Sequence, residues 1–253
     1  MTLSISAIII TKNEEASIKA CLESISWVDE IIVVDSGSTD NTVKLSKSYG
    51  AKVYIRNWNG FGIQKNRALK LATKKWILSI DADERVSEDL RDYILSLKDT
   101  NNYAYSIKRK SNYCGTWLNY GGWGSDYVVR LFRKSAAKFS NELVHEAVIT
   151  KDPIKKIHYH LLHFTYHNYE EVIKKINIYS SASASILFSK KIKSSLFKTL
   201  LHSLWAFLKT YVIQCGFLDG KAGLLLAISN SQYTYYKYLK LSFLYQNKKH
   251  QKF

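Results

Sequence analysis

Two carboxylates at i and i+2, Asp81 and Asp83, close the apolar run Trp76-Ile77-Leu78-Ser79-Ile80. On an extended backbone both point to the same side, so charge is delivered to a strand end. In an open α/β sheet ligands bind in the crevice beyond the carboxyl ends of the strands. Hard oxygen donors there suit Mg²⁺ or Mn²⁺, which keeps some waters and takes further ligands from substrate phosphates. The same Asp81-Ala82-Asp83-Glu84 also reads as an acidic turn capping the next helix. Which reading holds depends on what the chain places beside it.

The flanking pattern predicts the elements that would do the placing. Ser4 to Ile10 and Ile31 to Val34 are β-branched runs, the mark of strands buried on both faces of a parallel sheet. Helices are expected over Ala16 to Ile25, over Thr42 to Tyr49 with Asp40 as N-cap and Gly50 as its stop, and over Ile63 to Thr73. Lys52 to Ile55 makes a third strand, and the alternation defines a doubly wound parallel unit. Further on, Ser87 caps a helix reaching Leu97, and Tyr103 to Arg109 and Tyr127 to Phe132 are strands. Between them lies a tract rich in rings and glycines, Asn112 to Asp126, read as a loop covering a ligand. Four histidines, 158, 160, 163 and 167, lack the HExxH spacing of a zinc site and read as structural, with room for one of them near the Asp81-Asp83 corner.

Polar clusters follow successive strand ends: Thr11 to Glu15, Asp35 to Asp40, Asp81 to Asp83, and Ser125-Asp126. Neither GxGxxG nor GxxxxGK[ST] occurs, which disfavours a glycine-fingerprint dinucleotide site and P-loop chemistry. Carboxylates in place of a glycine loop suit a ribose and base, with the diphosphate held through a metal.

Charge divides the chain. Residues 1–150 carry 21 Lys+Arg against 17 Asp+Glu, whereas residues 151–253 carry 16 lysines against 4 acids. Such a basic, aromatic C-terminal region points to an anionic partner, a membrane surface or a nucleic acid. Lysines at 190, 191, 193 and 198 flank Leu, Phe and Trp at helical spacing, as in a helix lying in a membrane interface; packing on the sheet domain is the alternative. Leu196 to Leu218 carries Lys198, His202 and Lys209, so no transmembrane span is expected. The opening apolar run lacks a basic n-region and reads as a strand, not a signal peptide. Three dispersed cysteines, 21, 114 and 215, suggest neither disulfides nor a zinc site and suit a reducing cytoplasm.

Four motifs in order carry a resemblance: Ile8-Ile9-Ile10-Thr11-Lys12-Asn13-Glu14-Glu15, Val33-Val34-Asp35-Ser36-Gly37-Ser38-Thr39-Asp40, Gln64-Lys65-Asn66-Arg67-Ala68-Leu69 and Asp81-Ala82-Asp83-Glu84. The chain resembles the family 2 inverting glycosyltransferases with the GT-A fold, and within them the bacterial enzymes that glucosylate the inner core of lipopolysaccharide or lipooligosaccharide. The match is dense over the first 85 residues and extends more loosely through Arg130-Leu131-Phe132 and Val144-His145-Glu146. It implies an α/β, doubly wound, mostly parallel GT-A sheet with helices on both faces over 1–165, and a basic helical region over 166–253. Thr11, Asn13, Glu14 and Asp35 would hold the uridine, Lys65 and Arg67 would lie near the diphosphate or base, Asp81 would face ribose and sugar, and Asp83, with His163, would bind the metal.

Displacing a nucleoside diphosphate at an anomeric carbon calls for stabilisation of the leaving phosphate and a carboxylate that deprotonates the acceptor hydroxyl. The family's Glu-Asp base motif is not evident. Asp126 is the first candidate base, then Glu146 and Glu142; each could instead pair with Arg130 or Arg133. The expected partners are a UDP-hexose, a lipid-linked oligosaccharide and the anionic inner-membrane surface, with no nucleic acid. Transfer to a polyprenyl phosphate, or a non-enzymatic basic module, are the rival readings.

Overall fold

The computed structural model describes residues 2–99, 102–124, 126–140 and 146–250. The chain divides into two compact units, Met1–Arg109 with Asp126–His163, and Lys110–Ser125 with Phe164–Phe253. The aromatic tract therefore groups with the C-terminal helices, a long-range association that its local sequence does not announce.

The first unit alternates β1 (Ile5–Thr11), α1 (Glu15–Ser24), β2 (Glu30–Asp35), α2 (Thr42–Ser48), β3 (Lys52–Ile55), α3 (Phe61–Leu71) and β4 (Trp76–Ser79). There follow β5 (Glu84–Val86), α4 (Glu88–Ser96), β6 (Ala104–Tyr113), β7 (Thr116–Trp117), β8 (Tyr127–Arg133), the small hairpin of β9 (Ala137–Phe139) and β10 (Val148–Thr150), and β11 (Ile154–Tyr166). The main sheet runs β3-β2-β1-β4-β8-β6-β11-β5, with β7 paired to β6. Strands β3, β2, β1 and β4 are mutually parallel, and the β4–β8, β8–β6 and β11–β5 pairings are antiparallel.

Alternation along β1 sets the layers. Ile5, Ala7 and Ile9 share a core with Ile18 and Leu22 of α1 and with Leu90 and Ile94 of α4. Ile8, on the other face, meets Ala68 and Leu69 of α3 together with Ile32 and Val34. Helices thus cover both faces, as the apolar runs require. Ser87 caps α4, its hydroxyl accepting from the Leu90 N–H at 3.3 Å. Gly50 adopts φ +77° after α2. Asn41 rather than Asp40 is the N-cap of α2. The Asp40 carboxylate instead accepts from the Thr42 N–H and the Glu15 N–H, fastening the start of α1 to that of α2.

In the second unit α5 (Tyr169–Ser189) opens at Asn168, whose side chain accepts from the Glu171 N–H at 3.0 Å, while Glu171 accepts from the His167 N–H in return. Helix α6 (Leu196–Leu208) runs into a π turn over 209–213 and a 3₁₀ turn at Gly216–Asp219, and α7 (Gly220–His250) packs against both α5 and α6. Tyr113 and Leu118 are buried with Val172, Ile176, Ala222 and Leu226. Tyr113 meets Trp123 and Tyr166 edge-on, and its hydroxyl lies 2.8 Å from Ser229 Oγ. Tyr113, with Trp123 packed against it, is thus core of the helical unit, while Tyr120 is exposed. Gly124 serves close approach: a Cβ there would fall 1.6 Å from the Asn119 carbonyl oxygen.

Candidate active site

The parallel register puts Thr11 opposite Asp35, so both strand ends reach the same edge of the sheet as the end of β4. Strand β8 is antiparallel to β4, so Asp126, just before it, comes to that edge from the opposite direction. Three groupings of the predicted residues result.

The first joins the loops after β1 and β2. Asp35 is fully buried; it accepts from Thr11 Oγ1 at 2.9 Å, Gly37 N–H at 2.9 Å, Ser38 N–H at 2.8 Å and the Ser38 hydroxyl at 2.5 Å. Asn13 has φ +56°, a conformation asparagine tolerates better than most residues. Its N–H donates to Ser38 Oγ and its Oδ1 accepts from the Thr39 N–H, both at 2.8 Å. The Glu14 N–H donates to Thr42 Oγ1. Thr11, Asp35, Ser38 and Asn13 are thereby joined by hydrogen bonds, with Glu14 tied to Thr42 beside them and Asn13 exposed.

The second is an ion network at the end of β4. Lys65, almost wholly buried on α3, lies 2.8 Å from Asp81 Oδ1 and 2.6 Å from Glu146 Oε1. Arg130 on β8 bridges Asp81 and Glu84, its Nη2 2.6 Å from Glu84 Oε1. Glu84 closes the turn, accepting from the Asp81 N–H at 2.9 Å. Burial opposes ionisation of Asp81, yet Arg130 and then Lys65 override it and hold that carboxyl far below the usual range. Arg130 is likewise raised despite its burial, because Asp81 and Glu84 face it. Below them, burial foremost, with Glu84, Asp83 and Asp81 adding to it, pushes the Cys21 thiol up. The neutral thiol sits 3.5 Å from the Asp81 carbonyl and is a floor, not a nucleophile. Two buried polar atoms, Ser79 Oγ and Arg130 Nε, have no partner among the described residues.

The third is Asp83 with His163. Strands β5 and β11 pair antiparallel with Glu84 opposite His163, which brings His163 Nε2 to 3.3 Å from Asp83 Oδ2. A carboxylate oxygen and an imidazole nitrogen, both partly open to solvent, fit a divalent ion that takes its other ligands from phosphate and water. Among the described residues no cluster of three or more His, Cys, Asp or Glu has metal-binding geometry.

The remaining candidates are distributed around these groups. Asp126 is gripped by the Arg109 guanidinium, whose Nε lies 2.8 Å from Asp126 Oδ2, and Arg109 also comes within 3.6 Å of Glu84. Arg67 turns away from Asp81, donating to Asn57 O at 2.6 Å and Gln64 Oε1 at 2.5 Å. It lines a cavity of about 950 Å³ with Asn66, Lys70 and Phe139, which contains none of the clustered acids. Glu142, Val144, His145 and Ser125 lie outside the described residues. Glu84, Arg109 and the bridging position of Arg130 were not assigned roles from sequence. Glu84 had a local signal, three residues after Asp81; Arg130 stood in the looser Arg130-Leu131-Phe132 match and as an alternative partner of the candidate bases, whereas Arg109 had no signal, its partners being distant in the chain.

Fold and site together define an α/β domain that gathers its ligand chemistry at the carboxyl edge of a parallel sheet. Residues 6–158 match the Glycosyl transferase family 2 domain. An uncharacterised glycosyltransferase of Rickettsia typhi is 37% identical over 234 residues, 87% of this chain and 80% of that one. The lipopolysaccharide core biosynthesis glycosyltransferase LpsC of Rhizobium meliloti is 28% identical over 242 residues, 92% of this chain and 90% of its own. Among solved structures, glucosyl-3-phosphoglycerate synthase from Mycobacterium tuberculosis, in complex with Mn²⁺, UDP and glucosyl-3-phosphoglycerate, is similar over 44% of each chain at 27% identity, with a TM-score of 0.35. This chain belongs to glycosyl transferase family 2, and its sheet with helices on both faces and helical C-terminal region is the GT-A arrangement that its motifs imply.

Proposed function

We propose that this enzyme transfers a hexose, glucose from UDP-glucose, with inversion to the core oligosaccharide of a lipopolysaccharide or lipooligosaccharide, working at the cytoplasmic face of the inner membrane. The observation that carries the reading is the end of β4, where a buried Lys65–Asp81–Arg130–Glu84 network stands beside the Asp83–His163 pair. Likeness to LpsC along nearly the whole chain supports the acceptor class.

In this reading the Thr11–Asn13–Glu14–Asp35 cluster receives the uridine. Asp81, locked by two cations, presents a fixed acceptor to the ribose and sugar hydroxyls. Lys65 and Arg130 lend positive charge close to the diphosphate without leaving their carboxylates. Asp83 and His163 would hold Mg²⁺ or Mn²⁺, which when bound supplies Lewis-acid stabilisation of the leaving diphosphate. Asp126, oriented by Arg109, removes the acceptor hydroxyl's proton, with Glu146 and Glu142 next in order.

A panel of nucleotide sugars, assayed for transfer and hydrolysis with and without Mn²⁺, tests the donor. Asp83→Ala should abolish the Mn²⁺-dependent part of UDP binding, read by calorimetry; intact metal-dependent binding removes the assignment. Asp126→Asn should lower turnover by about 10²-fold or more with donor affinity retained. Unchanged turnover moves the base to Glu146 or Glu142. Efficient transfer to a polyprenyl phosphate instead of core oligosaccharide would replace the acceptor reading.

A further inference from the structure

Helix α6 is amphipathic in the inverted sense. It and the π turn after it meet α7 through polar groups: Ser203 Oγ lies 2.8 Å from Ser231 Oγ, Ser231 donates back to the Ser203 carbonyl at 3.0 Å, Thr210 Oγ1 in the turn accepts from Asn230 at 3.1 Å, and the His202 ring stacks on Tyr238. Thr199 on the same side is wholly buried. Most of its large apolar residues face outward, Phe207 excepted: Leu196, Phe197, Leu200, Leu204 and Trp205 are between 53% and 71% exposed. Ile213 and Phe217 continue the exposed stripe through the π and 3₁₀ turns. In water a helix normally buries its leucines and wets its serines; small and hydroxyl residues between helices with leucines outside is the pattern of helices surrounded by lipid. Contiguous apolar surface of this kind marks a binding face.

Charge names the occupant. Lys190, Lys191 and Lys193 precede the helix, and Lys198 in it and Lys209 at the start of the π turn fall beside the stripe at helical spacing. From residue 172 to the C-terminus the only acid is Asp219, and it is engaged by the N–H groups of Asn119 and Tyr120. A second copy on this face would gather two sets of lysines with no acid to neutralise them. A bilayer of anionic lipid offers both the apolar layer and the negative headgroups. Among the described residues no single helix is long and apolar enough to cross a membrane, although α6 with its turns and α7 form a bent pair that passes together by length and composition.

We infer that the outward face of α6 and the turns after it, residues 196–218, docks in the plane of an anionic membrane, with its leucines and Trp205 in the acyl boundary and its lysines on headgroup phosphates. This specifies the surface for the membrane partner and rests on that reading only for its biological purpose.

Flotation with vesicles of phosphatidylcholine, with and without phosphatidylglycerol, tests it on the full chain. Binding should require phosphatidylglycerol and fall with added salt. The double variant Leu200→Glu/Leu204→Glu should weaken partition by about tenfold or more. Because those side chains are exposed, circular dichroism and UDP binding should be unchanged. Replacing Lys190, Lys191 and Lys193 by Ala, which leaves the helix untouched, should also weaken binding and flatten the salt dependence. Absence of binding to anionic vesicles, or equal binding by the leucine variant, overturns the inference. So does a wild-type dimer that becomes monomeric in that variant without a change in vesicle partition, since the face would then join two copies. Sugar transfer measured without lipid reads the enzymatic proposal separately.

Discussion

At the scale of single residues the site is a charge balance. Asp81 and Glu84 are the acids, Lys65 and Arg130 the cations, and Glu84 and Arg130 are buried almost completely whereas Asp81 keeps nearly a third of its side chain open. Taking such groups out of water costs several kcal/mol each, and only close pairing offsets it. Removing one partner is therefore much worse than never having had either. Arg130→Ala should reduce unfolding stability by about 3–5 kcal/mol, measured by urea denaturation, because it leaves the buried Glu84 with only the more distant Arg109, 3.6 Å away. Arg130→Lys keeps a charge but not the planar fork that reaches both carboxylates, so it should recover only part of the loss. The sequence marked Asp81 and Asp83 through their spacing after an apolar run. The resemblance implied Lys65 near the diphosphate or base, and the pairing of Lys65 with Asp81 escaped the sequence because the contact joins a helix to a strand end sixteen residues later. His163 was named among four histidines only by resemblance, since the β5–β11 register that brings it to Asp83 has no local signature.

At the scale of elements, local chemistry was legible and distant pairing was not. Strand β3 and the Ser87 and Gly50 helix signals follow from residues within a few positions of each other. Strand β11 was hidden under its histidines, and its length reflects pairing partners distant in the chain. The start of β2 shows the same limit. Glu30 is a buried carboxylate at the amino end of the sheet, opposite to the site. It accepts from the Ser6 hydroxyl at 2.6 Å, Lys52 Nζ at 2.9 Å and both the N–H and hydroxyl of Thr73 at 2.7 and 3.0 Å, tying β1, β3 and the approach to β4 to one group. Burial disfavours its charge, but these donors, Lys52 first, more than compensate and hold it at about 2. A depressed carboxyl contributes its stability above the unfolded value near 4.5 and loses it as the pH falls through about 2. At roughly 1.4 kcal/mol per pH unit the contribution near neutrality is about 3 kcal/mol. Glu30→Gln should lower stability at pH 7 by about 2–3 kcal/mol and converge toward the parent protein near pH 2, as followed by chemical denaturation across that range. A constant difference at all pH values would show that packing, not charge, holds this corner.

At the scale of the whole molecule, the division of the chain matters more than any sequence boundary. A cut at 165/166 follows the change in composition, yet the helical unit also contains 110–125. Its core is where the two segments meet: Tyr113 and Leu118 from the tract are buried against Val172, Ile176 and Leu226, and the Tyr113 hydroxyl lies on Ser229. Burial also pushes that phenol well above its ordinary range, as expected for a ring sealed within this core. Losing a buried Tyr and a buried Leu costs several kcal/mol, on the order of the whole stability of a small domain. The remaining helices would keep a face of Val172, Ile176 and Leu226 without cover. A fragment of residues 166–253 should accordingly show helical circular dichroism with no cooperative thermal transition. Joining 110–125 ahead of 164–253 through a flexible linker should restore a cooperative transition, and Tyr113→Ala within that joined fragment should remove it again. A cooperative transition in 166–253 alone would mean that the aromatic tract decorates the helical unit and does not build it.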